Sequence, residues 1–502
     1  MVRLIMAFHK TRYAIQILCI ICLGLTSACS ANQENPLDHA LNERPNVIVI
    51  LADDLGYGDI QAYSSKSKIP TPNLDALALS GVRFTDAHSP SSVCTPSRYG
   101  LLTGRYAWRT SLKKGVLQGN SPSLITKGRQ TIASLFKKAG YTTGAIGKWH
   151  LGLGDAAETD FSKPFSSGPT TVGFDYFFGI PASLDMAPFV YIENDRVTEA
   201  PTAYIEEGVH RRDGGQGYWQ AGAIAPSFKH GSVAQTIADR AVDFIRQNAA
   251  SSADNPFFLY LPLTAPHKPW MPSEAALDKS GAGPYGDFVV DLDTHLGQII
   301  AALKASGLYD DTLIVFTSDN GSRWEDFEIE QYEHLANGSL RGQKTEIWEG
   351  GHRVPLIVSW PARIEAGKTN DSLISLTDFF ATFAELTHQS YGLDSGEDSI
   401  SFLAALLQPS GKSDRSDLIM HSSQGVFAIR RQGWKFIEKA GSGGYLWEED
   451  ATATKQLYDL DHDVDESENL ITERSQIASE LQEALNSQRS KSRSAPMPET
   501  TK

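Results

Sequence analysis

Two hydrophobic patterns alternate along most of the chain. Continuous apolar runs that end in polar residues are typical of buried parallel strands, and three of them are NVIVILADDLG (46–56), NPFFLYLPLTAPHKPW (255–270) and DTLIVFTSDNG (311–321). Between such runs, TPNLDALALSG (71–81) and TIASLFKKAG (131–140) combine helix-start residues, apolar positions and a closing glycine. Alternation of this kind predicts a doubly wound α/β sheet, with polar residues gathered at the carboxyl ends of its strands.

The pattern changes near the C-terminus. LIMHSSQGVFAIRRQGWKFIEKA (418–440) predicts short antiparallel strands, and SQIASELQEALNS (475–487) predicts a helix. We therefore expect a large catalytic domain over residues 44–410 and a small C-terminal α+β subdomain over 411–488. The polar segment 489–502 is expected to be disordered.

The first 29 residues have the pattern of an export signal. A basic start precedes the apolar run YAIQILCIICLGL (13–25), which is shorter than the ~20 residues that span a bilayer. LTSAC (25–29) resembles a lipoprotein cleavage box, so secretion and lipid anchoring at Cys29 both stay open. We expect an exported bacterial protein that is periplasmic, anchored in the outer membrane or secreted.

The charge of the chain limits its partners. A net charge of −15 argues against nucleic acid, because a phosphate-binding surface needs a basic excess. An anionic substrate would therefore need a local positive pocket.

One cysteine stands apart from the others. Cys19 and Cys22 leave with the signal, and Cys29 lies at its end, so the mature body contains only Cys94 and can form no internal disulfide. A buried structural thiol is the usual alternative. However, Cys94 precedes Thr-Pro-Ser-Arg, which are turn and helix-start residues.

Polar residues at the predicted strand ends form a second constellation. Asp53 and Asp54 end one strand, and Asp319 and Asn320 end another, so their oxygen atoms suit Ca²⁺ or Mg²⁺. An Asp-Asp pair alone often caps a helix, but two such clusters favour a metal site. Four cationic or titratable residues stand at equivalent positions: Lys148, His150, His267 and Lys344. Each of these four, taken alone, could be a surface charge or a local hydrogen-bonding group.

Together these segments resemble the type I sulfatases, the formylglycine-dependent branch of the alkaline phosphatase superfamily. CTPSR (94–98) matches the family signature Cys-x-Pro-x-Arg. Further matching blocks follow in family order: NVIVILADDLGYGD, TGRYAWR, GAIGKWHLG, TAPHKP, FTSDNG and LRGQKTEIWEGGHRVP. The resemblance implies a large mixed, mostly parallel sheet sandwiched by helices, with a small C-terminal antiparallel sheet plus helix.

The resemblance also implies a mechanism. A maturation enzyme would oxidise Cys94 to Cα-formylglycine, whose hydrated diol attacks the sulfur of a sulfate ester to form a covalent sulfo-enzyme. The second hydroxyl of the diol then expels sulfate. Ca²⁺ would be held by Asp53, Asp54, the oxidised Cys94, Asp319 and Asn320.

Roles for the surrounding residues follow from the same resemblance. Arg98 and Lys148 would stabilise the oxygens of the nucleophile, and Lys344 would contact the sulfate. His150 is the candidate base for the elimination step, and His267 is the candidate acid or stabiliser for the leaving alcohol.

The substrate is less defined by sequence. Two segments between the predicted strands, 179–197 and 211–228, are expected to build the substrate rim. Asp185, His334 and Trp348 are candidate sugar contacts, with rim packing as the alternative for each. We expect exo-action on a terminal sulfated sugar of an algal glycan or a glycosaminoglycan.

Two other functions remain open at this stage. The first is a phosphodiesterase or phosphonate hydrolase of the same superfamily. The second is a non-catalytic glycan-binding relative, which is disfavoured because every core motif position is filled.

Overall fold

The computed structural model describes residues 43–251, 255–408, 411–445 and 454–497. The predicted export signal at 1–29, with its cleavage site and the lipid anchor considered for Cys29, lies outside these residues. Among the helices of the described ranges, none has both the length and the apolar composition of a membrane-spanning segment.

The strands, in chain order, are β1 (Asn46–Asp53), β2 (Val82–Phe84), β3 (Ala87–His88), β4 (Thr142–Lys148), β5 (Tyr176–Ile180), β6 (Ile192–Glu193), β7 (Arg196–Val197), β8 (Ala203–Ile205), β9 (Gly222–Ile224), β10 (Phe257–Pro266), β11 (Thr312–Ser318), β12 (Leu356–Ser359), β13 (Lys368–Asn370), β14 (Ile374–Ser375), β15 (Asp417–His421), β16 (Phe427–Arg431), β17 (Trp434–Ile437) and β18 (Gln456–Asp459). The α-helices are α1 (Pro72–Leu79), α2 (Cys94–Thr103), α3 (Ile132–Lys138), α4 (Val233–Ala250), α5 (Gly283–Ala305), α6 (Asp326–Tyr332), α7 (Glu349–His352), α8 (Phe379–Leu386), α9 (Leu403–Leu407) and α10 (Ser475–Ser490).

The main sheet has the strand order β13-β2-β12-β11-β1-β10-β4-β5-β6-β7. Its centre is parallel: β1 pairs with both β10 and β11, and β4 pairs with β10 and β5. Strand β12 runs antiparallel to β11, which makes the sheet mixed. Every residue of β1, β10 and β11 is buried, as expected for strands covered on both faces.

Helices pack on this sheet in two groups. Helices α1 and α4 contact α5, and α2 and α3 contact α8. The C-terminal strands β15 to β18 form a separate antiparallel sheet against which α10 packs. The predicted fold class, a mixed α/β sheet with a small antiparallel C-terminal sheet and helix, is confirmed.

The segment after α10 differs from the expectation. Residues 491–497 pack on the loop at 393–398: Ser494 N donates to the carbonyl of Glu397 (2.9 Å), and Arg493 donates to the carbonyl of Ser395 (2.6 Å). The prediction of disorder is therefore wrong for residues 489–497. The segment carries few apolar residues, but its hydrogen-bond donors satisfy carbonyl groups of a distant loop. Residues 498–502 lie outside the described residues.

Candidate active site

The carboxyl ends of β1 and β11 bring four oxygen-bearing side chains together. Asp53 ends β1 and Asp54 follows it, while Asp319 and Asn320 follow β11, the parallel neighbour of β1. The amide nitrogen of Asp54 donates to Asp319 Oδ1 (3.2 Å), and Asn320 Nδ2 donates to Asp54 Oδ1 (2.8 Å). Asp54 has a left-handed backbone (φ 67°), which turns the chain sharply after the strand.

Cys94 is the first residue of α2 and lies beside these carboxylates. Its Sγ is 3.7 Å from Asp53 Oδ1 and 3.9 Å from Asp54 Oδ1, and the residue is only 2% exposed. Burial and the negative charge of Asp319 raise the pKa of the Cys94 thiol far above its ordinary value. The unmodified side chain therefore stays a neutral thiol and is a poor nucleophile.

Three cations are paired with the carboxylates. Arg98 Nε donates to Asp319 Oδ2 (2.9 Å), Lys148 Nζ lies 2.7 Å from Asp53 Oδ2, and Lys344 Nζ lies 2.6 Å from Asp54 Oδ2. Burial alone would raise the pKa of Asp53, but Lys148, His267 and Arg98 hold it well below the ordinary value. The site thus alternates buried charges of opposite sign.

His267 follows β10 and faces the same cluster. Its Nε2 lies 3.6 Å from Asp54 Oδ2, and its Nδ1 is 2.6 Å from the carbonyl of Lys268. Because a carbonyl oxygen only accepts hydrogen bonds, Nδ1 carries a proton. Nε2 faces the carboxylate of Asp54.

His150 follows β4 in a left-handed conformation (φ 54°). Its Nε2 donates to the carbonyl of Leu117 (2.9 Å), and its buried Nδ1 has no partner among the described residues. Burial, followed by Lys148 and Arg98, lowers the pKa of His150 well below the ordinary value. His150 is therefore a neutral imidazole with a free lone pair on Nδ1.

The cluster fits a hard divalent cation. Ligand atoms of Asp53, Asp54, Cys94 and His267 all lie within 4.8 Å of one another. Asn320 Oδ1 is buried and has no hydrogen-bond partner in the described ranges. Carboxylate and amide oxygens are the donors that Ca²⁺ and Mg²⁺ prefer. An unpartnered amide oxygen beside three carboxylates is explained by a cation at this position.

A cavity of about 630 Å³ opens above Cys94. Of the expected rim segments, Asp185 contributes from the first and Arg212 and Tyr218 contribute from the second. Asp185 is 5% exposed, and its Oδ1 has no hydrogen-bond partner among the described residues. Its Oδ2 lies 3.4 Å from Lys268 Nζ.

Several cavity residues were not predicted. They are His210, Lys268, Trp270, Arg323, Phe327 and Tyr445. The side chains of Phe327 and Tyr445 are 51% and 55% exposed. Aromatic residues near the catalytic motifs in sequence were the available signal, but Tyr445 comes from the C-terminal region and only folding brings it here.

The structure does not bring His334 or Trp348 to the cavity, and the expectation of sugar contacts there is corrected. His334 is fully buried: its Nε2 donates to Asp59 Oδ1 (2.8 Å), and its Nδ1 accepts from the amide of Lys68 (3.3 Å). Trp348 stacks under Arg341 (3.9 Å) and donates to Gln456 (3.0 Å). Both side chains are bound by other residues of the protein, and neither lines the cavity.

Comparison with known proteins then decides the family. The sequence model of the Sulfatase family matches residues 45–389. The chain belongs to the sulfatase family. This sulfatase is 34% identical to an N-acetylgalactosamine-6-O-sulfatase of Bacteroides thetaiotaomicron, over 92% of this chain and 97% of the relative. It is 35% identical to human arylsulfatase A, over 86% of this chain and 84% of the relative.

A solved structure supports the same assignment. A sulfatase from a study of glycosaminoglycan metabolism by Bacteroides thetaiotaomicron superimposes with a TM-score of 0.81 at 33% identity. The match covers 90% of this chain and 100% of that chain. The sulfatase is therefore a sulfuric ester hydrolase with an alkaline phosphatase-like fold.

Proposed function

We propose that this sulfatase removes sulfate from a sulfated carbohydrate, using Cα-formylglycine formed from Cys94 together with a divalent cation, which we take to be Ca²⁺. The observation that carries the proposal is the position of Cys94, at the start of α2 and within 3.9 Å of two strand-end carboxylates. A neutral thiol so placed makes only long contacts with these carboxylates, whereas an oxygen-bearing side chain would complete the ligand set.

The oxidised residue supplies, as a hydrated aldehyde, one hydroxyl to attack sulfur and a second to release sulfate. Arg98 and Lys148 are both fully buried, so their positive charges are held in place beside position 94. They would favour a negatively charged oxygen on that residue. Their own pairing with Asp319 and Asp53 fixes this arrangement before substrate binds.

Asp53, Asp54, Asp319 and Asn320 would hold the cation. When bound, it would polarise the oxygens at position 94 and of the sulfate group. The buried, unpartnered Asn320 Oδ1 supports this assignment.

Lys344 is the residue that would meet the sulfate itself. It lines the cavity, is bonded to Asp54 and has a side chain 13% exposed, so it remains reachable from the cavity. Its pKa is raised: burial opposes the charge, but Asp54 and its neighbours outweigh this. A permanent ammonium here gives an acidic protein the local positive charge that a sulfate ester needs.

The two histidines suit opposite proton transfers. His150 is neutral, with a free lone pair on Nδ1, and can accept the proton of the second hydroxyl. His267 lines the cavity beside Asp54 and can donate a proton, or a hydrogen bond, to the leaving alcohol.

For substrate, we propose a terminal sulfated sugar, with a 6-O-sulfated hexosamine as the first candidate. The relative named an N-acetylgalactosamine-6-O-sulfatase supports that choice. Cys94 lies buried at the base of the cavity, which favours a chain end over an internal residue. Export from a bacterial cytoplasm remains part of the proposal, with a formylglycine-generating enzyme as the maturation partner.

The test uses mature protein whose Cys94 oxidation is confirmed by the mass shift from thiol to aldehyde. We expect release of free sulfate from sulfated oligosaccharides, and faster hydrolysis of sulfate monoesters than of phosphate diesters or phosphonates. The Cys94→Ala variant should be inactive. The reverse substrate ranking would favour a phosphodiesterase or phosphonate hydrolase, and full activity in Cys94→Ala would refute the mechanism. Rapid release of sulfate from internal positions of intact polymer would refute exo-action.

A further inference from the structure

A second groove lies directly behind one wall of the catalytic cavity. That wall is the segment 113–117, called here the strap. Val116 lines the catalytic cavity, whereas Lys113 and Lys114 line a separate groove of about 860 Å³. Lys114 and Val116 are two residues apart, so their Cα atoms lie within about 7 Å. The catalytic cavity and the groove are therefore separated at this point only by the width of the strap.

The groove is basic, although the chain as a whole is acidic. Its lining carries the positively charged residues Arg105, Arg109, Lys113, Lys114 and Arg489 against the acids Asp394 and Glu397. The net charge of the chain is −15. A concave basic surface on an acidic protein is suited to bind an anionic ligand.

Several of these cations have acidic partners, but neither lysine has one among the described residues. Glu397 lies 3.0 Å from Arg105, and Arg489 is paired with Glu438 (2.7 Å). Lys113 Nζ donates to the carbonyl of Trp108 (2.6 Å). Lys114, which is exposed, makes no ion pair or side-chain hydrogen bond with any residue in the described ranges. Within the described ranges, the strap thus offers two ammonium groups without an acidic partner.

Aromatic rings lie beneath the charges. Trp108 and Phe427 pack edge to face at 5.5 Å, and both are 7% exposed. Arg109 lies over Trp108 (4.3 Å), and Arg489 lies over Phe427 (4.1 Å). Trp108 Nε1 is a buried donor without a partner among the described residues. The two rings are nearly buried under these guanidinium groups, so they hold the arginines in place beside the exposed lysines of the strap.

We propose that this groove binds the continuing chain of a sulfated polysaccharide while its terminal sulfated sugar occupies the catalytic cavity. The proposal rests on the carbohydrate substrate proposed above and adds a second binding site to it. Sulfated sugars carry the anionic groups that the cations of the groove can bind. Nucleic acid fits less well, because the rest of this acidic surface would repel a long polyphosphate.

The strap is also held rigidly. Gly115 N donates to the carbonyl of Ser423 (2.8 Å), and Leu117 N donates to Thr95 Oγ1 (3.2 Å). The carbonyl of Leu117 accepts from His150. Binding at the lysines therefore needs no movement of the catalytic residues. The groove should improve capture of long substrates and leave the chemical step unchanged.

The decisive variant is Lys113→Ala/Lys114→Ala in the full, oxidised protein. On long chondroitin sulfate we expect KM to rise about threefold to tenfold, as for the loss of two exposed charge contacts. On a sulfated monosaccharide both kcat and KM should be unchanged. Lys137→Ala/Lys138→Ala at the end of α3 removes the same charge elsewhere and should leave both substrates unaffected. Lys113→Arg/Lys114→Arg should keep the parent KM.

Binding is measured separately in Cys94→Ala protein, which makes the result independent of turnover. We expect affinity for sulfated chains to increase with chain length, to fall with added salt and to fall on Lys114→Ala alone, which disturbs no internal contact. Equal affinity of parent and Lys114→Ala protein for sulfated chains would overturn the proposal that the groove binds them. An equal loss of affinity in the α3 control would overturn it as well. If the parent released no sulfate from any glycan but still bound long sulfated chains through Lys114, the proposed function would fail and the groove would stand.

Discussion

Asp59 and His334 form a 2.8 Å hydrogen bond directly behind the loop that carries Asp54. The other carboxylate oxygen of Asp59 accepts from Gly56 N (2.7 Å) and from Tyr285 Oη (2.5 Å). Three donors therefore converge on one fully buried carboxylate. This arrangement holds the turn after β1 and so the left-handed conformation of Asp54.

Asp59→Asn should weaken cation binding without unfolding the protein. An amide group in place of Oδ2 would point its own N–H toward the donors Gly56 N and Tyr285 Oη. We expect calcium affinity to fall about 10- to 100-fold, as for other residues that orient ligands. The measurement is the calcium-dependent rise in Tm. As a control, Asp378→Asn breaks a buried pair with Arg415, neither of which lines the catalytic cavity, and should lower Tm with calcium affinity unchanged.

Asn320→Ala tests the proposed ligand itself. Removing the amide oxygen should reduce calcium affinity and raise the calcium concentration needed for half-maximal activity. A chelator should inactivate the parent, added Ca²⁺ should restore it, and Ca²⁺ should raise its Tm. Equal calcium responses of parent and variant would exclude Asn320 as a ligand.

Asp185→Asn and Trp348→Ala test whether substrate binding depends on a residue inside the cavity or on one outside it. Asp185 presents a buried, unpartnered oxygen in the cavity, so its loss should raise KM for a sulfated sugar about tenfold or more, the equivalent of one hydrogen bond to a charged group. Trp348 is stacked outside the cavity and should affect stability alone. A change in KM caused by Trp348→Ala, with none from Asp185→Asn, would reverse the assignment made here.

Glu346 gives a prediction for pH. Burial raises the pKa of Glu346 to about 7, above its ordinary 4.5. The folded protein then holds a proton that the unfolded chain releases, so this group lowers the free energy of unfolding as pH rises from about 4.5 to about 7. Glu346→Gln should remove this pH-dependent loss of stability. The free energy of unfolding of the variant, relative to that of the parent, should therefore increase by about 1–3 kcal/mol across this range. Urea unfolding at pH 5 and pH 7.5 measures it. An advantage that does not change with pH would contradict the assignment.

Asn337 illustrates how context changes the meaning of a motif. Asn337-Gly338-Ser339 matches a glycosylation sequon. In the structure Asn337 Oδ1 accepts from Ser322 N, and Nδ2 donates to the Ser322 carbonyl, both at 2.9 Å. Asn337→Ala should therefore cost about 1–3 kcal/mol of unfolding free energy through the unpaired backbone groups. Unchanged urea unfolding of the variant would contradict this.

The strand ends were predictable because their signals are local. Apolar runs that end in Asp53-Asp54 and Asp319-Asn320 identify parallel strands, and the carboxyl ends of parallel strands meet at one edge. Cys94 was identifiable because the other cysteines of the sequence lie within the predicted export signal or at its end. The substrate rim was less predictable. Asp185, His334 and Trp348 were equally good candidates by residue type, but only Asp185 lies in the cavity. The other two side chains are bound by residues elsewhere in the protein.

The sequence by itself thus determined the α/β class, the order of the catalytic motifs and the residue types that carry the chemistry, because each depends on patterns a few residues long. Only the tertiary structure decided which side chains share a cavity. It placed Tyr445 beside Cys94, folded residues 491–497 onto the loop at 393–398, and joined Lys113, Lys114 and Arg489 in one groove. These contacts join segments far apart in the chain, and local patterns carry no information about which distant donors and acceptors will be satisfied.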